Sequence, residues 1–124
     1  MSTLVNCLLV GAGGMLGTIG RYLFGLLPVK TQSGFPIITL AINLIGAFCI
    51  GLIVAFPGRS GNTSPQLVLF LKVGICGGFT TFSTFSLEAV QLLQNGKFIT
   101  AFSYMALSVA LCVAAVAGAQ AIVK

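Results

Sequence analysis

Residues Gly74 to Ser86 read Gly-Ile-Cys-Gly-Gly-Phe-Thr-Thr-Phe-Ser-Thr-Phe-Ser, inside an otherwise apolar chain. Gly74, Gly77 and Gly78 followed by Thr80 and Thr81 weaken helix continuity. A broken helix frees backbone carbonyls and N–H groups. In lipid these persist only where protein, water or an ion satisfies them. Freed main-chain oxygens suit a hard cation such as sodium, above all if two antiparallel copies meet at their breaks. Phe82 and Phe85 are three residues apart and share a face if the helix resumes near Phe82. A phenyl ring has a positive edge, so it can meet a desolvated anion without offering a trapping charge. Thr81, Ser83, Thr84 and Ser86 place hydroxyl donors beside the rings. An anion path needs donors strong enough to replace hydration and weak enough to release the ion. The plain alternative for the two rings is core packing.

The elements that must position this stretch are transmembrane helices. The chain has 124 residues, 57% hydrophobic and 6% charged, with a mean hydropathy of +1.12. A soluble domain carries about 25% charged residues, so this surface faces lipid. A span needs about 20 apolar residues, which predicts four, at roughly 4–27, 36–56, 66–93 and 98–123, in one domain over 1–124. In the first, Gly13 and Gly17 form a small-xxx-small face for close helix approach. Arg21 near its end can snorkel to the headgroups. In the second, Asn43 at mid-membrane must face protein or a cavity, either as interhelical glue or as a pore-lining donor. The third span holds the opening stretch and is too long and interrupted for one regular helix. On the fourth, Thr100, Tyr104, Ser108 and Cys112 recur every four residues and form a polar column. Asn43, Tyr104 and Ser108 would extend the donor set from neighbouring helices.

The chain has no His and one acid, Glu88, which removes most acid–base, metal-hydrolase and triad chemistry. An enzyme is not expected. The cations Arg21, Lys30, Arg59, Lys72, Lys97 and Lys124 are spread singly. Nucleic-acid binding would want a basic patch, so these charges read as membrane-edge anchors. Four spans put Arg59 and Lys124 on one side and Lys30 and Lys97 on the other. Orientation follows Lys/Arg asymmetry, and here there is almost none. The expectation is insertion in both orientations, with opposite copies pairing as the inverted repeats of transporters do. The cysteines Cys7, Cys49, Cys76 and Cys112 form no CxxC pair and read as small hydrophobes.

Gly-Gly-Phe-Thr-Thr-Phe-Ser-Thr-Phe-Ser at 77–86, Asn43-Leu44-Ile45-Gly46 and Gly17-Thr18-Ile19-Gly20-Arg21-Tyr22 together resemble the Fluc fluoride channels, also called CrcB. The resemblance covers essentially the whole chain. It implies an antiparallel, dual-topology homodimer with two fluoride pores and a structural sodium ion at the dimer centre. By motif match, the sodium ligands would be backbone oxygens of Gly77 and Thr80. The pore phenylalanines map to Phe82 and Phe85, and the pore asparagine to Asn43. Tyr104 and Ser108 fit a fourth-helix polar track, Glu88 a vestibule acid, and Arg21 a first-helix arginine. Cys112 departs from the pattern, where a hydroxyl is expected; a thiol is the weaker donor.

The function so implied is passive fluoride export across a bacterial inner or plasma membrane. Hydrogen fluoride crosses membranes neutral, ionises in the less acidic cytoplasm and is trapped until a channel releases it. No G-x-x-x-x-G-K-[ST] motif is present. A small dual-topology multidrug-type exporter would want a carboxylate in the first span, which has none. A non-conducting assembly subunit would leave the polar column without a role.

Overall fold

Apolar runs of this length bury their backbone polar groups in helices, because lipid offers no alternative partner. The computed structural model describes residues 2–124. The elements are α1 (Thr3–Gly25), α2 (Ile37–Ser60), α3 (Pro65–Leu69), a π-helical segment (Phe70–Cys76), α4 (Gly77–Phe79), α5 (Phe82–Gln94) and α6 (Phe98–Val123). Taken with α3 through α5 as one interrupted span, four helical stretches are long and apolar enough to cross a membrane: Thr3–Gly25, Ile37–Ser60, Pro65–Gln94 and Phe98–Val123.

Local chemistry sets the ends. Ser2 caps α1, its Oγ accepting from the Val5 N–H at 3.3 Å. Pro65 opens α3 at a first-turn position, where its missing N–H costs nothing. Gly61 (φ 66°) and Gly96 (φ 74°) turn the chain out of α2 and α5 in the left-handed conformation that glycine adopts readily. The second helix runs one turn past the expected end, through Pro57 to Ser60. Its end is held from outside: Arg59 Nη1 donates to the Val123 carbonyl at the foot of α6. A guanidinium at a helix C-terminus also complements the helix dipole.

The third span departs most from expectation. The glycines expected to break it stay helical: Gly74 lies in the π-helical segment, and Gly77 has φ −63°, ψ −35°. Thr80 (φ −82°, ψ 161°) and Thr81 (φ −151°, ψ 119°) are the extended residues. Hydroxyls explain the shift. Thr80 Oγ1 donates to the Cys76 carbonyl at 2.9 Å, closing the first half. Thr81 Oγ1 accepts from the Thr84 N–H at 3.1 Å and caps the second half.

The glycines act instead in packing. α1 lies against the π-helical segment and α4 at backbone distance. A Cβ on Gly13 would stand 2.9 Å from the Gly74 Cα, and one on Gly17 would stand 2.8 Å from the Phe79 nitrogen. Backbone cannot rotate aside as a side chain can. Gly17→Ala therefore lowers the thermal unfolding midpoint of the detergent-purified protein, by a destabilisation of about 1–3 kcal/mol as for other overpacked cores. An unchanged midpoint would show that α1 is free to shift.

α2 makes its most extensive contacts with α6, and α5 also packs on α6. At one end of these three helices, Leu40, Phe85, Leu92, Ala101 and Tyr104 form the buried core, with Phe35, Ile37, Leu93 and Met105 packed around it. Elsewhere large apolar side chains point outward, among them Leu8, Leu23, Phe102 and Val113. For helices in lipid this outside is the correct place for them.

Candidate functional site

Four helical hydrogen bonds would bridge an unbroken span at this point, from the N–H groups of residues 81 to 84 to the carbonyls of residues 77 to 80. Extension at Thr80 and Thr81 removes them. Side chains take over two of the freed N–H groups and one of the freed carbonyls. The Thr81 N–H donates to Asn43 Oδ1 at 2.8 Å. The Thr84 N–H goes to the Thr81 hydroxyl. The Gly78 carbonyl accepts from Arg21 Nε at 3.2 Å and from Thr18 Oγ1 at 3.5 Å. Among the described residues, no hydrogen bond reaches the carbonyls of Gly77, Phe79 or Thr80 across the break.

α2 is shaped to receive this break. Asn43 Nδ2 donates to the Thr81 carbonyl at 3.1 Å, so one side-chain amide satisfies both polar groups of Thr81. One turn further on, a Cβ on Gly46 would collide with the Thr80 methyl. Asn43 thus ties α2 to the break itself, and it also borders a cavity beside the break. Arg21, read from sequence as a headgroup anchor, instead reaches inward to Gly78.

Against the break lies a cavity of about 460 Å³, lined by Asn43, Gly77, Thr80, Thr81, Phe82, Phe85, Ser108 and Cys112 together with apolar residues of α2 and α6. The two rings of the motif divide. Phe85 is 8% exposed and Phe82 is 78% exposed, yet their centroids are 5.4 Å apart. Phe85 in turn meets Tyr104 at 5.0 Å. Ser108 Oγ is buried without a hydrogen-bond partner. Of the other hydroxyls, Thr84 Oγ1 accepts from Thr81 Oγ1 at 3.0 Å, Ser83 is exposed 3.4 Å from the same atom, and Ser86 back-bonds to the Phe82 carbonyl.

Glu88 and Tyr104 belong to a different place. Tyr104, fully buried, donates to Glu88 Oε1 at 2.8 Å. Thr39 donates to Oε2 at 2.9 Å. Glu88 and Thr39 line a second, more polar cavity of about 470 Å³ near the chain's loop ends, with Lys30, Gln91, Asn95 and Lys97. The polar column on α6 thus splits: Tyr104 serves this cavity's acid, while Ser108 and Cys112 face the break.

Three residues of this arrangement had no assigned task in the sequence. Thr39 and Gly46 lie four before and three after Asn43, so helical spacing puts all three on one face of α2. Thr18 is one turn before Arg21. The same spacing rule would have found them once Asn43 and Arg21 were taken as anchors.

Residues 8–120 match the family described as "CrcB-like protein, Camphor Resistance (CrcB)". The chain belongs to the CrcB family. The CrcB match takes in Arg21, Asn43, the break and the polar face of α6. Relatives described as "Fluoride-specific ion channel FluC" include one from Ruminiclostridium cellulolyticum, 45% identical over 117 residues, covering 94% of this chain and 90% of the relative. Others come from Agrobacterium fabrum (42% identical; 91% of each chain) and Rhizobium meliloti (42% identical; 96% of each chain).

Proposed function

We propose that this CrcB chain is a fluoride-selective ion channel that lowers cytoplasmic fluoride by passive export. The observation that carries the reading is the interrupted third span, held by Asn43 and open to a cavity where phenyl rings and hydroxyls meet. Phe82 and Phe85 present ring edges to the anion. Ser83, Thr84 and Ser108 supply neutral donors, with Thr81 aligning Thr84 by donating to its hydroxyl, and neutral donors release an ion more readily than a cationic side chain does. Tyr104 and Thr39 engage the Glu88 carboxylate at the vestibule, so its charge is held by two donors near the path's mouth.

The working unit on this reading is an antiparallel homodimer of dual topology with two pores, in the inner or plasma membrane of a bacterium. The support is physical. A break with unbonded carbonyls cannot face lipid, and the near-even Lys/Arg distribution gives neither orientation preference. A second copy covers that face. The Gly77 and Thr80 carbonyls, lacking donors among the described residues, fit a sodium ion shared between copies. When bound, sodium supplies a central positive charge that ties the two breaks together. The chain's own part is to hold those two oxygens clear of helical bonding.

Fluoride efflux from liposomes loaded with fluoride and containing the purified protein tests the proposal. Release well above protein-free liposomes, with chloride retained, is expected. No release above the protein-free control rejects the channel, and comparable chloride release rejects the selectivity.

A further inference from the structure

The Gly78 carbonyl has a natural partner within its own span, the N–H of Phe82 four residues on. That bond is absent, and Arg21 Nε with Thr18 Oγ1 stands in its place. We infer that Arg21 is a positioning residue that keeps the third span open, by holding the Gly78 carbonyl away from the Phe82 N–H. The channel reading above supplies only the activity arm of its test.

The competition is between two donors for one oxygen. A backbone N–H is local and neutral, and in lipid the gain from closing a helical turn is large. A standing break therefore needs a stronger rival. A guanidinium donates a charge-assisted bond, roughly twice as strong as a neutral one. Thr18 and Arg21 are three residues apart on α1 and so reach the oxygen from the same helix face. The root of the Arg21 side chain is fixed, because α1 touches this segment at backbone level. A Cβ on Gly78 would stand 3.0 Å from the Gly14 Cα. The reach from α1 to Gly78 is therefore constant.

Asn43 performs a different task three residues on. It satisfies both polar groups of Thr81 after the chain has extended. Arg21 acts on the last turn before the extension. Were the Gly78 carbonyl released, the Phe82 N–H could re-form its helical bond. The start of α5 would then shift, and with it the rings of Phe82 and Phe85 and the free carbonyls of Gly77 and Thr80. One side chain on the first span thus governs the geometry of all four.

The test pairs backbone hydrogen exchange over residues 79–86 with fluoride release from liposomes, on dimers isolated by size exclusion. The variants are Arg21→Met, which has no donor; Arg21→Lys, which keeps donor and charge; and Thr18→Val, which leaves the net charge unchanged. In Arg21→Met, exchange over 79–86 slows as the turn closes, and release falls roughly tenfold, the scale seen when a supporting hydrogen bond behind a functional group is removed. Arg21→Lys stays close to the parent in both. Thr18→Val moves both in the same direction, by less. Unchanged or faster exchange in Arg21→Met overturns the inference. Slower exchange with full release overturns the claim that the opening serves conduction. If Arg21→Met does not assemble, Thr18→Val decides: slowed exchange supports the inference and unchanged exchange rejects it. Should the parent protein release no fluoride, the channel reading fails by itself, and the exchange arm still decides whether Arg21 holds the span open.

Discussion

With Asn43 replaced by leucine, fluoride release from liposomes falls to that of protein-free vesicles. Leucine matches asparagine in the number and branching of its side-chain heavy atoms, so the loss is chiefly chemical. The Thr81 N–H, bonded at 2.8 Å in the parent, is left without a partner at mid-membrane, while the Thr81 carbonyl loses its 3.1 Å bond and keeps only the first helical bond of α5. A buried polar group stripped of its partner costs about 1–3 kcal/mol. That is a large fraction of a typical domain's stability of about 5–15 kcal/mol. The chain escapes by closing the break or by unfolding around it, and either outcome removes the path. Asn43→Asp retains the acceptor for the Thr81 N–H and loses the donor to its carbonyl, so it falls between the two. Flux and thermal unfolding measured together check this. Wild-type flux in Asn43→Leu would mean that Thr81 finds other partners and that Asn43 does not hold the break.

Phe85→Ala and Phe82→Ile separate folding from function. Phe85 is buried against Tyr104 in the core shared by α2, α5 and α6. Truncating a buried phenylalanine typically costs about 3–5 kcal/mol. Phe85→Ala therefore lowers the unfolding midpoint sharply and takes activity with it. Phe82 is 78% exposed in the single chain, so its replacement leaves the chain's own fold almost untouched. Phe82→Ile keeps the apolar bulk and loses the ring edge. It suppresses flux while dimers still form. Full flux in Phe82→Ile would reduce that ring to packing, and an unchanged unfolding midpoint in Phe85→Ala would remove Phe85 from the core.

The spans were legible because lipid imposes one rule on every helix, an apolar run of sufficient length. The existence of the break was legible for a related reason: glycines and threonines crowd one short stretch. So was its far edge, since the helix resumes at Phe82 as expected; where it begins was not. Glycine marks where a helix is weak, but a break in lipid settles where partners for the freed groups stand ready. Those partners are Asn43 and Gly46 on α2 and Arg21 and Thr18 on α1, all far from Thr80 in sequence. The extended residues are therefore Thr80 and Thr81, whose hydroxyls also close and cap the two halves, while Gly77 and Gly78 remain helical against α1. The inward bond of Arg21 was not legible for the same reason. An arginine near a helix end ordinarily reaches outward to headgroups, and only the neighbouring carbonyl left over at Gly78 gives it an inward target.

The polar column on α6 was visible as spacing but not as a division of labour. Four-residue recurrence places Tyr104, Ser108 and Cys112 on one face. It does not say that the face passes from one cavity to another along its length. Tyr104 pairs with Glu88 beside the lysines of the loop end, and Ser108 meets the break. That distinction depends on where α5 crosses α6, which only the assembled helices determine.

The π-helical segment at Phe70–Cys76 constrains the chain's length rather than its composition. A π turn takes up about one residue more than an α turn. Deleting one residue between Phe70 and Val73 lets the segment relax to α-helix with its ends and the Gly74 contact in place, so the phase of everything downstream is preserved. Deleting one residue from α4 has no such slack. It rotates the following chain by roughly 100° and draws it back by about 1.5 Å. Thr81 then faces away from Asn43. The first segment is thus a buffer for single-residue length changes, and the three residues after it are not. Natural length variation in this span, where it occurs, belongs before Gly74.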